Sequence, residues 1–160
     1  RLGRTQIQLG QVDLATVVQG ILQELESELQ EKQAQVIIKT TLPLVKSQQS
    51  ILKSIITNLI TNAVKFVHPS TRAAVKIWAE ERGKYVRLWV EDNGIGIAPE
   101  HQERIFRVFE RLHGVESYVG TGIGLAIVKR GVESINGSVG VFSNVNHGSR
   151  FWIELPRYKE

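Results

Sequence analysis

Residues 72–92 constrain the fold more than any other stretch. They read RAAVKIWAEERGKYVRLWVED, two runs of alternating apolar and polar residues flanking Arg82 and Gly83. A period of two marks a half-buried strand, and two such runs across a short glycine-containing turn form a β-hairpin. Val86, Leu88 and Val90 share one face of the second strand. A sheet with one apolar face needs a second layer to cover it.

Helical stretches supply that layer. Asp13 is placed to cap a helix whose apolar stripe is Leu14, Val17, Val18, Ile21, Leu22, Leu25 and Leu29. Residues 34–42 are rich in β-branched side chains and predict a strand closed by Pro43. Helical spacing returns over residues 48–66, and His68-Pro69-Ser70 stops it. Pro99 opens a short helix, PEHQERIFRVF, and residues 110–121 follow as a loop. GIGLAIVKRGVESI predicts a helix ended by Asn136-Gly137, with strands near 138–143 and 149–155. This order predicts an α/β protein: a two-layer sandwich with one mixed, mostly antiparallel sheet and helices on one face. Strands do not alternate singly with helices, so a doubly wound sheet is not expected.

Composition narrows the class. A chain of 160 residues suits one domain with a full core. No apolar run reaches the roughly 18 residues of a membrane span. There is no cysteine, which excludes disulfides and thiolate metal sites and fits a cytoplasmic setting. The net charge is +4, but Lys and Arg are scattered among acids, so no nucleic-acid partner is expected. The absence of any Met, including at the start, predicts a piece of a longer protein.

Three constellations carry chemistry. In NLITNAVKF, Asn58 and Asn62 lie four apart on one helix face, with Lys65 three further on. Asn is a poor helix former, so the stripe is either a solvated face or one turned toward a ligand. An amide oxygen can ligate Mg²⁺, and an ammonium can meet phosphate. EDNGIGI ends the hairpin's second strand. Alone it reads better as a strand-ending turn than as a nucleotide floor. As a floor, a strand-end carboxylate accepts the exocyclic amine of adenine, and Gly94 and Gly96 let backbone approach the ring. Guanine carries an oxygen there, which selects against GTP. In VGTGIGLAIVK, Gly120, Gly122 and Gly124 alternate into a helix start, where N–H groups can meet phosphate. It is neither a P-loop nor a dinucleotide fingerprint.

Together, in this order, the three resemble the ATP-binding domain of two-component sensor histidine kinases, in the Bergerat-fold superfamily that also holds gyrase-type and mismatch-repair ATPases. NLITNAVKF matches that family's N box, DNGIGI its first glycine box, IFRVFERL its F box and GTGIGLAIVK its second glycine box. GSRFWIELP matches the closing strand, so the resemblance covers about residues 12–156. FERLHG resembles phytochrome-like and cyanobacterial kinases more narrowly.

The resemblance implies roles. Asn62 is the Mg²⁺ ligand, Asn58 supports metal and phosphates, and Lys65 meets phosphate. Phe66 lies against the ring, Asp92 holds the adenine amine with Ser149 assisting through water, and Gly94, Gly96 and Ile97 admit the base. Residues 98–119 form a lid anchored by Phe106 and Phe109, with Arg111 reaching the γ-phosphate. Gly120, Thr121, Gly122, Gly124 and Leu125 form the hinge and phosphate-binding helix start. Related ATPases carry a water-activating Glu where this chain has Asn58, and an amide is no general base. The domain is therefore expected to hold ATP and deliver its γ-phosphoryl to a His elsewhere. His68, His101, His113 and His147 lack the setting of a phosphoacceptor. That acceptor, with its dimerisation helices, is expected before residue 1, residues 1–12 being the linker and 13–160 the catalytic domain. The fragment is then inactive alone in autophosphorylation and monomeric, without membrane contact, and the parent is a homodimer serving a response regulator. The alternatives are a nucleotide-binding pseudokinase or an ATPase module of the same superfamily. Two departures stand out. Val108 replaces a common Pro, and Gln48 or Gln49 replaces a common Asp before the N-box helix, removing a helix cap and about 1 kcal/mol.

Overall fold

A computed structural model describes residues 7–102, 104–106 and 124–159. The elements run β1 (Gly10–Asp13), α1 (Leu14–Glu24), α2 (Glu26–Glu31), β2 (Gln35–Ile38), β3 (Leu44–Ser47), α3 (Gln49–Lys65), β4 (Ala74–Arg82) and β5 (Tyr85–Asp92). Then follow α4 (Pro99–Gln102), a 3₁₀ turn (Arg104–Phe106), α5 (Gly124–Ser134), β6 (Ser138–Ser143) and β7 (Ser149–Pro156). Among these, no helix is long and apolar enough to cross a membrane.

The hairpin predicted over residues 72–92 forms, with Arg82 opposite Tyr85 across Gly83 and Lys84. It sits inside a five-stranded sheet of order β2-β4-β5-β7-β6. Only β2 and β4 run parallel. Val86, Leu88 and Val90 are fully buried on the face that meets the helices. There α3 packs on β4 and β5, α5 packs on β6 and β7, and α1 packs on α3. Ile55, Ile56, Leu59 and Ile60 of α3 join Val128 and Val132 of α5 in one core. This is the expected two-layer sandwich.

The opposite face is built differently. Trp78 and Trp89 are cross-strand partners and stack with ring centroids 5.7 Å apart. Trp89 also stacks on Phe142 at 5.9 Å. The Arg87 guanidinium lies 3.8 Å from the Trp152 ring centroid, and Lys39 lies over Trp78. Cations thus cover aromatic faces where a helix would otherwise be needed.

Three expectations change. At the end of the expected linker and into residue 13, Gly10–Asp13 forms a strand paired antiparallel with Leu44–Ser47, burying Val12 and Val45. The strand expected over 34–42 ends at Ile38, and Pro43 precedes a second strand rather than closing the first. Gln48 does cap α3: its Oε1 accepts from the Ile51 N–H at 2.8 Å and from the Ser50 hydroxyl at 2.9 Å. The longer side chain reaches where Asp would, so the expected loss of a cap does not occur. Asp13 caps α1 as expected, accepting from the Ala15 N–H at 3.0 Å.

Candidate functional site

The site forms where α3 and β5 end and β7 begins beside β5. Asn62, Phe66, Asp92, Ile95, Gly96, Ile97, Leu125, Ser149 and Phe151 line a small cavity of about 30 Å³ that opens to solvent. The registers explain the meeting. Asp92 and Ser149 are direct cross-strand partners at the strand ends, on the helix-covered face. The helical period brings Asn62 and Phe66, one turn apart, to the same end of α3.

Asp92 is the electrostatic centre. Its Oδ1 accepts from the Gly94 N–H at 2.8 Å and the Ser149 N–H at 3.2 Å. Its Oδ2 has no hydrogen bond among the described residues. Burial, with a smaller contribution from the Glu91 charge, pushes its pKa up to about 6 against those two N–H bonds. No cation is paired with it among the described residues. It remains an acceptor at neutral pH, with one oxygen committed to backbone and one without a hydrogen bond among the described residues.

The loop after Asp92 is stitched from both sides. The Ile95 N–H donates to the Phe66 carbonyl at 2.9 Å, and the Ile95 carbonyl accepts from the Asn146 N–H at 2.7 Å. The glycines expected to admit a base have a nearer duty. A Cβ on Gly94 would lie 2.2 Å from the Phe66 carbonyl oxygen. One on Gly96 would lie 1.9 Å from the Asn144 carbonyl oxygen, and Gly96 also holds φ +77°. Both let three backbone segments close together, and only Gly96 also lines the cavity.

Other expected residues fall in varied places. The Asn62 amide lines the cavity and makes no hydrogen bond within the described residues. Asn58 turns its Nδ2 to the Ser54 carbonyl of its own helix at 3.0 Å and is absent from the cavity wall. Lys65 is exposed, and lines a separate groove with Lys32 and His68. Phe106 packs edge-on against the cavity residue Phe151, centroids 6.2 Å apart. Gly124 begins α5, and Leu125 is buried in the cavity wall. Phe109, Arg111, Gly120, Thr121 and Gly122 lie outside the described residues.

Sequence reasoning missed several residues. Phe151 was findable, since it occupies an inward position of β7 by alternation. Asn93 ties β5 to the start of β4, accepting from the Ala74 N–H at 2.8 Å and donating to the Arg72 carbonyl at 3.0 Å. Gln102 donates to both the Ile97 and Ser143 carbonyls at 2.9 Å. No local pattern announces these contacts.

The donor set bears on a metal. Among the described residues, no group of three or more His, Cys, Asp and Glu could hold an ion. One unpaired Asn62 amide fits Mg²⁺, which takes few protein ligands and draws the rest from phosphate and water.

Comparison with known proteins agrees with this geometry. Residues 47–159 match the model of histidine kinase-, DNA gyrase B- and HSP90-like ATPases. The chain is 37% identical over 149 residues to phytochrome-like protein Cph1 of Synechocystis sp., covering 93% of this chain and 20% of that protein. It thus spans about a fifth of the length of such curated relatives. Full-length ShkA, solved with AMPPNP, superposes with TM-score 0.82 at 30% identity, covering 100% of this chain and 34% of that one. The nucleotide-free catalytic domain of histidine kinase ThkA superposes with TM-score 0.80 at 22% identity, covering 94% and 97%, and shares the fold. With a Bergerat-type sandwich, an acidic glycine loop and an Asn-bearing helix in one cavity, the chain belongs to the histidine kinase-, DNA gyrase B- and HSP90-like ATPase family, and is homologous to sensor histidine kinases and cyanobacterial phytochromes.

Proposed function

We propose that this chain binds Mg-ATP and transfers its γ-phosphoryl to a histidine on a separate helical domain of a sensor histidine kinase. The observation that carries the reading is Asp92, a largely buried carboxylate that lines the cavity and keeps one oxygen without a hydrogen bond among the described residues. It accepts the exocyclic amine of adenine, Phe66 and Ile97 flank the ring, and Ser149 sits beside the acceptor. Asn62 holds Mg²⁺ through its amide oxygen; the ion, when bound, neutralises charge on the phosphates. Lys65 reaches phosphate by swinging its flexible chain from the exposed end of α3. Asn58 offers no base to activate water, so phosphoryl transfer rests on positioning and charge neutralisation.

The nucleophile comes from a dimerisation domain of the parent, and a response regulator receives the phosphoryl group next. Direct measurement separates this from the alternatives. A longer chain restoring the preceding helices, given γ-labelled ATP, should incorporate acid-labile label. Nucleotide binding without label would favour a pseudokinase. Steady hydrolysis by the isolated chain at several turnovers per second would favour an ATPase module.

A further inference from the structure

Behind Asp92 lies a pair of hydroxyls whose protons can be counted. The Ser143 and Ser149 Oγ atoms are 2.7 Å apart, and that contact holds one proton supplied by either residue. Ser143 Oγ already accepts the N–H of the buried Ile97 at 2.7 Å. It also lies 3.1 Å from the Gly148 carbonyl, to which it can donate. Ser143 has a single proton. If it donates to Ser149, the Gly148 carbonyl loses that partner and the Ser149 proton is left without one among the described residues. If it donates to Gly148, Ser149 must donate to Ser143, and every proton in the group is satisfied. The second arrangement pairs both hydroxyl protons within the protein and gives the Gly148 carbonyl the Ser143 hydroxyl beside the Asn144 N–H at 3.3 Å, so it is favoured.

This has a chemical consequence in the cavity. Ser149, only 6% exposed, spends its proton on Ser143 and shows lone pairs to a ligand. It stands directly across from Asp92 in the strand register, and both line the cavity. Both polar groups at the base end are then acceptors.

We propose that Ser143 is a positioning residue for base specificity: by taking the Ser149 proton, it makes Ser149 an acceptor and turns the pocket against 6-oxopurines. Ser143 touches no ligand and acts through Ser149. The inference rests on the adenine reading above and adds a residue, 51 positions after Asp92 in the chain, to what determines it.

Titration with ADP and IDP, which differ in an amine against an oxygen at C6 and in a bare N1 against an N1–H, tests it. The unaltered chain should prefer ADP. Ser143→Ala frees the Ser149 proton to meet the 6-oxo group, so the ADP-to-IDP preference should fall about three- to tenfold, mostly through tighter IDP binding. Ser143→Thr restores a hydroxyl and should return the preference to within about twofold. In a Ser149→Ala background, Ser143→Ala should leave the preference unchanged, because nothing remains for it to orient. Ser143→Cys, a weak acceptor of similar shape, carries the test if the Ala variant does not fold. A preference unmoved by Ser143→Ala or Ser143→Cys, with only stability reduced, overturns the proposal and leaves Ser143 as a support for Ile97. An unaltered chain that binds neither nucleotide, or both equally, overturns the adenine reading itself, and this proposal with it.

Discussion

The two faces of the central sheet treat charge in opposite ways. On the face away from the helices, carboxylates have partners. Glu154 meets Arg87 at 2.8 Å and Arg82 at 3.5 Å, and Glu91 pairs with Arg150. Glu80 accepts the Trp89 indole N–H at 2.9 Å, and that bond, helped by Arg82, holds its pKa below the usual carboxylate range. On the helix-covered face, Asp92 has only backbone partners, and burial raises its pKa to about 6. Paired charges over aromatic rings hold the open face together. An uncompensated carboxylate in a cavity does the reverse: it is tolerated at a cost to the fold, and its open oxygen is what a ligand can use.

The largest effect should come from the backbone junction beneath that carboxylate. Gly96→Ala forces a Cβ toward the Asn144 carbonyl from a left-handed backbone, and should cost about 3 kcal/mol or more in thermal or denaturant unfolding. It should also weaken nucleotide binding.

Asp92→Asn sharpens the contrast, because the two faces predict opposite signs. Its Oδ1 keeps both backbone bonds while the buried charge disappears. Adenosine affinity should fall by about 2–3 kcal/mol, read by calorimetry. Stability of the unliganded chain should rise by up to about 3 kcal/mol at pH 8. The sign follows from a folded pKa raised above 3.8 to about 6. The folding penalty is complete above about pH 6 and is relieved as pH falls toward 3.8, so the gain from Asn should vanish near pH 4. A variant less stable than the parent at pH 8 would break the comparison.

The same titration predicts the binding profile. Adenosine carries no phosphate to titrate in this range. Its affinity should be flat above pH 7 and fall about tenfold per pH unit below 6 as Asp92 gains a proton. Asp92→Asn should flatten the curve.

Substitutions on the open face should move stability without moving the site. Arg87→Ala removes a half-buried ion pair and the stack on Trp152, and should cost about 1–3 kcal/mol. Adenosine affinity should stay within about twofold. Arg82→Ala, on a half-exposed partner, should cost no more than about 0.5 kcal/mol. An equal loss of binding from Arg87→Ala would show the two faces to be one cooperative unit.

These contrasts were legible in the chain to different depths. Alternation in residues 72–92 placed Val86, Leu88 and Val90 in the core, and helical spacing grouped Asn58, Asn62 and Lys65 on one face of α3, of which only Asn62 lines the cavity. Such patterns are local: a residue's face depends on its own period. The strands at Gly10–Asp13 and Leu44–Ser47 were missed because each is only four residues long and derives its order from the other. The backbone crowding at Gly94 and Gly96 was not legible, since the Phe66 and Asn144 carbonyls that press on them come from distant segments.

The sequence by itself determined the sandwich, the order of its motifs and the acidic glycine loop at the end of β5, because strand and helix periodicity and a strand-end loop are properties of contiguous residues. Tertiary structure alone decided which oxygen of Asp92 stays open, that Asn58 turns back to its own helix and Lys65 to another groove, and that Ser143 meets Ser149. Those outcomes depend on cross-strand register and on the allocation of single protons among groups up to 57 residues apart, information that no local window of the chain contains.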